Sequence, residues 1–514
     1  MSVFEDKYTV GRQLGEGAYA KVQLVTSIAD GQQYADKVYS EAADYNELNI
    51  TSSFDHPNLL HRKDVCLDTN GIIHLVLPLA DSDLSTYLSK HLKTISAGER
   101  FDRTVSIMYQ IISGVVALNK FGYFHCDLKP QNILMFGDKP VVAHYSLTRG
   151  GANRVVPDVP CGTPFYKDPQ TLGQQLKRMG DESVGEAFMQ TLTEQRPSYD
   201  QADVFSIGTI MYEIYFDSRL IPRDEGENAF SEYLNYEQKL ANQLAAASSD
   251  NDRKILACVQ RCVTFRLEDR ARHAEDILQC DLFADKVMTK PIPAKMLANH
   301  IPTKKWCEEQ VPNKPMKFQR VTAIVVEWVY ELIAKVLRNS AQLLVYTVFT
   351  TLFYRCLHKI DKVETAQLYA AACLLLAVRV SVTTKIDTAD VVYIAAGAFT
   401  GVELEKTMVK LAVYFEGVLR IPSVYDVTDN ALEILWWVQQ VQKDCTFLEK
   451  SPQECHDLYS QMETAKPELL MNRVNKDLVI SATFSQAGKV TIKYYKAYSD
   501  FAEEKVPETI RVTV

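Results

Sequence analysis

HCDLKPQNILMFGDKPVVAHYSLTRG, residues 125–150, is the stretch whose reading decides the fold. Its first half gathers an acid, a lysine and an amide, Asp127, Lys129 and Asn132, side-chain types suited to orienting a hydroxyl and handling phosphate. Its second half puts His144 where such a site needs a carboxylate. The surrounding chain decides how far the outline and the chemistry agree.

The 514 residues exceed one ordinary core, so two or three domains are expected. With 47% apolar and 24% charged residues the composition is that of a folded chain, not a disordered one. A net charge of -9 gives no general attraction to nucleic acid or an anionic membrane, and neither is expected as a partner. The eleven cysteines include no CxxC pair, which favours reduced thiols in an intracellular compartment, cytoplasmic or nuclear, over a disulfide framework or a zinc site. Cys258 and Cys262 share a helix face and read as buried. The opening MSVFEDKYTV lacks the apolar core of a signal peptide. The uncharged stretches 339–354 and 365–378 fall short of a membrane span and read as buried helices.

Residues 8–39 alternate apolar and polar around glycine turns, as strands do, whereas Met108, Ile111, Ile112, Val115 and Val116 form one helical stripe. Strands followed by helices predict an α+β chain, with a small sheet lobe beside a larger helical lobe and a ligand cleft between them. The Pro- and Lys-rich stretch 289–315 reads as a linker. Beyond it Val321, Ile324, Val325, Trp328, Val329, Leu332, Ile333, Val336 and Leu337 recur at helical spacing, and DLVISATF, KVTIKYYKAY and ETIRVTV read as strands. The expected division is 1–288, a linker at 289–318, an all-helical domain at 319–470 and a short β-rich tail at 471–514.

Further landmarks accompany the opening stretch. GEGAYAKV, 15–22, can bring backbone amides close to phosphate, although alone it is as often a plain hairpin. YADK ends on Lys37, and Glu47 precedes HPNLL; alone, each is an ordinary surface charge, together they can pair across a cleft. CGTPFYKDPQ (161–170), YDQADVFSIG (199–208) and RLEDRARHAEDIL (266–278) complete an ordered set over about 280 residues, which chance does not readily produce. Residues 8–285 therefore resemble the eukaryotic protein kinases, in the Ser/Thr branch and with cyclin-dependent-kinase flavour. The resemblance implies a bilobal fold that binds ATP and Mg2+. It implies that Leu14, Val22, Ala35, Leu77 and Leu134 line the adenine slot, with Leu77 as gatekeeper and Leu79 and Ala80 in the hinge. Gly15 and Gly17 would cover the phosphates, and Lys37, steadied by Glu47, would hold them. Asp127 would orient the substrate hydroxyl, Lys129 meet the γ phosphate and Asn132 bind a magnesium ion. Lys129 and Thr163 point to Ser/Thr substrates, and Asp203 and Arg270 to an intact large lobe.

The departures are specific. The family's Asp-Phe-Gly falls on His144, Tyr145 and Ser146, and an imidazole brings neither the charge nor the oxygen donor that magnesium prefers. A zinc or manganese role for His144 would need a second His or Cys, which the motif lacks. Losing one preorganised electrostatic contact costs roughly 10²- to 10³-fold in rate. Cys126 replaces an arginine that gathers a phosphorylated loop in many kinases, and 149–162 contain no Ser, Thr or Tyr, so receptor and phosphate are missing together. Ala20 replaces a glycine, and Gln170 replaces a glutamate that would pair with Arg270. The short spacing from Lys37 to Glu47 predicts a trimmed regulatory helix, and the long one from Gln170 to Asp203 an inserted helical segment.

Residues 320–425 resemble a cyclin box, carried by Arg320, Trp328, LVYTVFTTLFYRCLHKI, VETAQLYAAACLLLAVRV and VVYIAAGAFTGVELEKTMVKLAVYFEGVLRIPS. Ala370, Ala371 and Ala372 allow close helix packing. Arg379 stands where cyclins carry a kinase-contacting lysine, while Met408, Val409 and Lys410 occupy the place of its acidic companion. The resemblance implies a kinase–cyclin contact within one chain, helped by a tether worth roughly millimolar local concentration. Packing for stability alone is the plain alternative. Three readings stand: a pseudokinase or weak kinase with a retained nucleotide slot, regulated in cis; an active cyclin-dependent-type Ser/Thr kinase; or a non-catalytic scaffold or decoy that binds a separate cyclin-dependent kinase. Protein substrates go with the second, a cyclin-dependent kinase or cyclin-type partner with the third.

Overall fold

The computed structural model describes residues 3–16, 20–39, 44–93, 95–150, 162–179, 197–221, 229–286, 295–296, parts of 321–337, 341–360, 362–381, 386–420, 480–484, 490–494 and 510–511. Five strands open the chain: β1 (Tyr8–Glu16), β2 (Ala20–Ser27), β3 (Gln33–Tyr39), β4 (Asp64–Leu67) and β5 (Ile73–Pro78). They form one antiparallel sheet in the order β1-β2-β3-β5-β4. Val22 opposes Lys37, Leu24 opposes Ala35, and Ala35 opposes Leu77. Directly opposed residues share a face. Val22, Ala35, Lys37 and Leu77 therefore look the same way, toward the larger lobe. The other face carries Tyr8, Val25, Tyr34, Cys66 and Val76, closed over by Phe4.

The helix α1 (Tyr45–Ser53) has only nine residues, the trimming that the short Lys37–Glu47 spacing predicts. Asp44 caps it by accepting the Glu47 N–H at 3.0 Å. All of its residues except Asn46 are buried, because other elements pack on more than one side of it.

The larger lobe is built on α2 (Ala97–Lys120), capped by Ser96. Its stripe Met108, Ile111, Ile112, Val115 and Val116 is buried as predicted. After β6 (Tyr123–Phe124), β7 (Ile133–Phe136), β8 (Lys139–Val142) and β9 (Arg149–Gly150) come α3 (Pro169–Met179), α4 (Tyr199–Phe216), α5 (Ala229–Ala246) and α6 (Asp250–Val263). Gly208 lets α4 and α6 touch, since a Cβ there would lie 2.5 Å from the Cys262 Cβ. Cys258 and Cys262 are both buried on α6. The helix α3 opens the expected insertion, whose remaining residues 180–196 lie outside those described.

Beyond the linker region, which is described only at Lys295–Met296, the chain forms α7 (Ala341–Cys356), α8 (Ala366–Ser381), α9 (Thr388–Ile394) and α10 (Gly401–Tyr414). Ala370, Ala371 and Ala372 are fully buried in α8, which is flanked by α7 and α10. One expectation is corrected here: Val363–Ser381 is long and apolar enough to cross a membrane, with a mean hydropathy of 1.4. Within the fold most of that segment is buried, as in a core helix. These helices share a continuous core with both lobes, and α8 packs directly on α1. Three short strands near the end, Ile480–Phe484, Val490–Tyr494 and Ile510–Arg511, pair antiparallel.

Candidate functional site

The sheet face that looks into the cleft carries Val22, Ala35, Lys37 and Leu77. Leu77 is buried, while Leu14, Gly15, Val22, Ala35, Leu79, Ala80 and Leu134 are half-buried, an apolar wall still open to solvent. Gly15 pairs with Val22, and Gly17 lies outside the described residues. Lys37 projects from β3 and forms an ion pair with Glu47 of α1. The Tyr39 hydroxyl donates to the same carboxylate at 3.1 Å. Burial pushes the Glu47 carboxyl up, but the Lys37 ammonium and these hydrogen bonds outweigh it and hold the group below the usual carboxylate range.

Below the cleft the loop after β6 is held by its own backbone. Asp203 accepts the N–H groups of His125 and Cys126, each at 2.8 Å. The Asp127 N–H donates to His125 Nδ1 at 3.2 Å, so the ring proton sits on Nε2 and donates to the Ala143 carbonyl at 2.8 Å. Burial drives His125 down to about 4, so it is neutral at neutral pH. Asp127 receives the Thr163 hydroxyl on Oδ1 at 2.6 Å and the Asn132 amide on Oδ2 at 2.8 Å. Lys129 reaches Asp127 Oδ2 at 3.0 Å and donates to the Thr163 hydroxyl at 2.7 Å. Three residues named from sequence alone, Lys129, Asn132 and Thr163, thus converge on the Asp127 carboxylate.

His144 follows the fully buried Ala143 and takes a left-handed backbone with φ 63° and ψ 71°. The adjoining Tyr145 is also fully buried, its hydroxyl donating to the Val142 carbonyl at 2.6 Å and accepting the Leu60 N–H at 3.0 Å. The His144 ring is open to solvent yet walled by the cleft. Desolvation lowers its pKa most; Glu47 opposes this, and Lys37 and Lys129 add to it. The imidazole is neutral among those charges.

These residues do not fit a magnesium site well. Asp127 has both oxygens engaged by protein donors and position 144 supplies a nitrogen, whereas Asn132, whose amide nitrogen holds Asp127, keeps its oxygen as the one donor suited to the ion. Among the described residues there is no group of three His, Cys, Asp or Glu suited to a metal ion.

The other substitutions are absorbed locally. Cys126 has φ 64° and places its thiol on the Phe124 carbonyl at 3.4 Å. Gln170 accepts from Arg270 at 3.1 Å, the hydrogen bond expected in place of an ion pair, and donates to the Phe265 carbonyl at 2.6 Å. Asp168 supplies a carboxylate 3.9 Å from the same guanidinium. The sequence reading missed Asn49, Tyr123 and Arg420, which meet beside α1. It also missed Asp44, although Asp-x-x-Glu at 44–47 is a readable capping pattern.

The comparisons agree with this geometry. The protein kinase domain family matches residues 8–283, more than half of the chain. The chain belongs to the protein kinase family. Similar relatives include serine/threonine-protein kinase ICK of Rattus norvegicus, 27% identical over 225 residues, and serine/threonine-protein kinase MAK of Homo sapiens, 26% identical over 227. CBL-interacting protein kinase 26 of Oryza sativa subsp. japonica is 27% identical over 228 residues. The aligned part is 42% of this chain for the first two and 41% for the third. It spans only 32%, 32% and 40% of those relatives, so the likeness covers less than half the length of each. Members of this family use ATP and Mg2+.

Proposed function

We propose that the protein is a Ser/Thr-type member of the kinase family that keeps a nucleotide slot but is crippled in phosphoryl transfer, a pseudokinase or weak kinase. The observation that carries this is the His144 imidazole in the cleft, at the position where the family's chemistry needs an anionic oxygen. In this reading Lys37, held by Glu47, binds phosphate, and the wall from Leu14 to Leu134 takes the base. Asp127 orients a hydroxyl, Lys129 screens charge beside it, and Asn132 fixes the Asp127 rotamer.

The chain divides in this reading at 288, 318 and 470, and residues 319–470 act on the kinase domain in cis as a cyclin-like unit. Support comes from the packing of α8 against α1. Burial pushes the Tyr45 hydroxyl of α1 up to about 12, with Arg379 and Glu405 within electrostatic reach of it. Arg379 is the residue singled out by the cyclin resemblance. Glu405 offers an acid one turn before the position where the sequence lacks one. The decoy reading, capture of a separate cyclin-dependent kinase, is less favoured because α8 already packs on α1 of the same chain.

Calorimetry of ATP binding to the full chain, with and without Mg2+, tests this. Binding that Lys37→Met weakens and that Mg2+ changes by less than about threefold supports it. Absence of ATP binding, or tightening by Mg2+ of about tenfold or more, overturns it.

A further inference from the structure

Arg420 follows the last helix of the described helical region, yet it is one of the largest fully buried side chains in the protein, at 0% exposure. Its guanidinium lies 4.9 Å over the Tyr123 ring on β6 and donates to the Val380 carbonyl on α8 at 3.2 Å. Its own N–H and that of Leu419 donate to Asn49 Oδ1 on α1 at 2.8 and 2.9 Å, while the Asn49 amide donates to the Tyr123 hydroxyl at 3.0 Å. On the remaining side is Gly150 of β9. A Cβ there would lie 2.0 Å from Arg420 Nη1, so the glycine is required by the arginine.

The placement matters because of what β6 and β9 lead to. Tyr123–Phe124 run directly into His125–Asp127, and Arg149–Gly150 begin the activation segment; the two strands are paired, Arg149 opposite Phe124 and Gly150 opposite Tyr123. A two-residue strand pair is weak by itself. In this chain no hydroxyl between 149 and 162 can take a phosphate, and position 126 carries no cation to receive one. Burying a guanidinium is costly: desolvation lowers the Arg420 pKa, and Tyr123 restores only part. Stability alone does not account for an arginine here.

We propose that Arg420 is a positioning residue that staples the start of the activation segment to the strand entering the catalytic loop, a permanent cation delivered by the helical region in place of a phosphorylation-dependent clamp. The proposal rests on the reading that the helical region governs the kinase domain in cis.

The test is amide hydrogen exchange on the full chain, without nucleotide or metal, for peptides covering 121–127 and 145–150, with α4 as reference and the thermal midpoint recorded alongside. Arg420→Met accelerates exchange of the β6 and β9 amides by about tenfold or more while α4 stays unchanged and the midpoint moves little. Gly150→Ala, whose methyl displaces the guanidinium, does the same. In Arg420→Ala the further change Gly150→Ala adds nothing, because the obstruction is gone. Unchanged exchange at β6 and β9, or a uniform acceleration that includes α4 and lowers the midpoint, overturns the proposal. Should Arg420→Met fail to fold, Gly150→Ala carries the measurement alone. Exchange needs no bound nucleotide, so a failure of the slot to take ATP is read separately.

Discussion

Thr163 lies 2.6 Å from Asp127, its hydroxyl donating to Oδ1 of a carboxylate that Lys129 and Asn132 already hold from the other side. In the proposed reading these are the groups that orient a substrate hydroxyl, while the position that would bring a metal to the phosphates holds an imidazole. That reading separates orientation from electrostatic stabilisation, which an active member of the family joins.

Removing the hydroxyl tests that assembly. Thr163→Val leaves Asp127 and Lys129 each one partner short and costs about 1–3 kcal/mol. Thermal unfolding should show a midpoint several degrees lower for Thr163→Val and near the starting value for Thr163→Ser.

The Lys37–Glu47 pair lies largely out of solvent, at 12% and 2% side-chain exposure. Lys37→Met strands a buried carboxylate and should destabilise the fold by about 3–5 kcal/mol. Adding Glu47→Gln should recover much of this loss in denaturant unfolding. Equal losses for the single and double variants would show that the pair is not coupled.

Acid should weaken the catalytic loop before it reaches the carboxylates. His125 titrates at about 4 in the fold against 6.5 in the open chain, so between those values the unfolded state binds more protons. Its contribution is whole above pH 6.5 and is lost as the pH falls toward 4. His144, also lowered, acts in the same direction. The thermal midpoint should decline from pH 7 to pH 5, and His125→Gln should flatten that slope.

Restoring the family's glutamate at 170 should harm this chain. Gln170 donates to the Phe265 carbonyl as well as accepting from Arg270, and Asp168 already stands by that guanidinium. Gln170→Glu loses the donor and crowds two carboxylates, a cost of about 1–3 kcal/mol. A midpoint that rises instead would contradict this.

Much of the site was legible because it is written in short linear motifs. Asp127, Lys129 and Asn132 are at most five positions apart, and a loop that small leaves few ways to arrange them. Lys37 and Glu47 were legible through their place in an ordered series, and the α2 stripe through its period. What the sequence hid joins distant segments. Asn49 meets Leu419 and Arg420 some 370 positions away, and no spacing rule connects them. Burial of Arg420 runs against the usual exposure of arginine, so composition pointed the other way. Asp168 escaped notice for a similar reason: its distance from Arg270 is set by how α3 meets the loop after α6.

The most direct measurement is radiolabelled phosphate transfer by the purified full chain with Mg2+, comparing the natural sequence, His144→Asp and Asp127→Asn. The account predicts transfer near background for the natural sequence, a gain of about 10²-fold or more for His144→Asp, and no gain when Asp127→Asn is added. Robust transfer by the natural sequence that Asp127→Asn abolishes and His144→Asp leaves unimproved would contradict it.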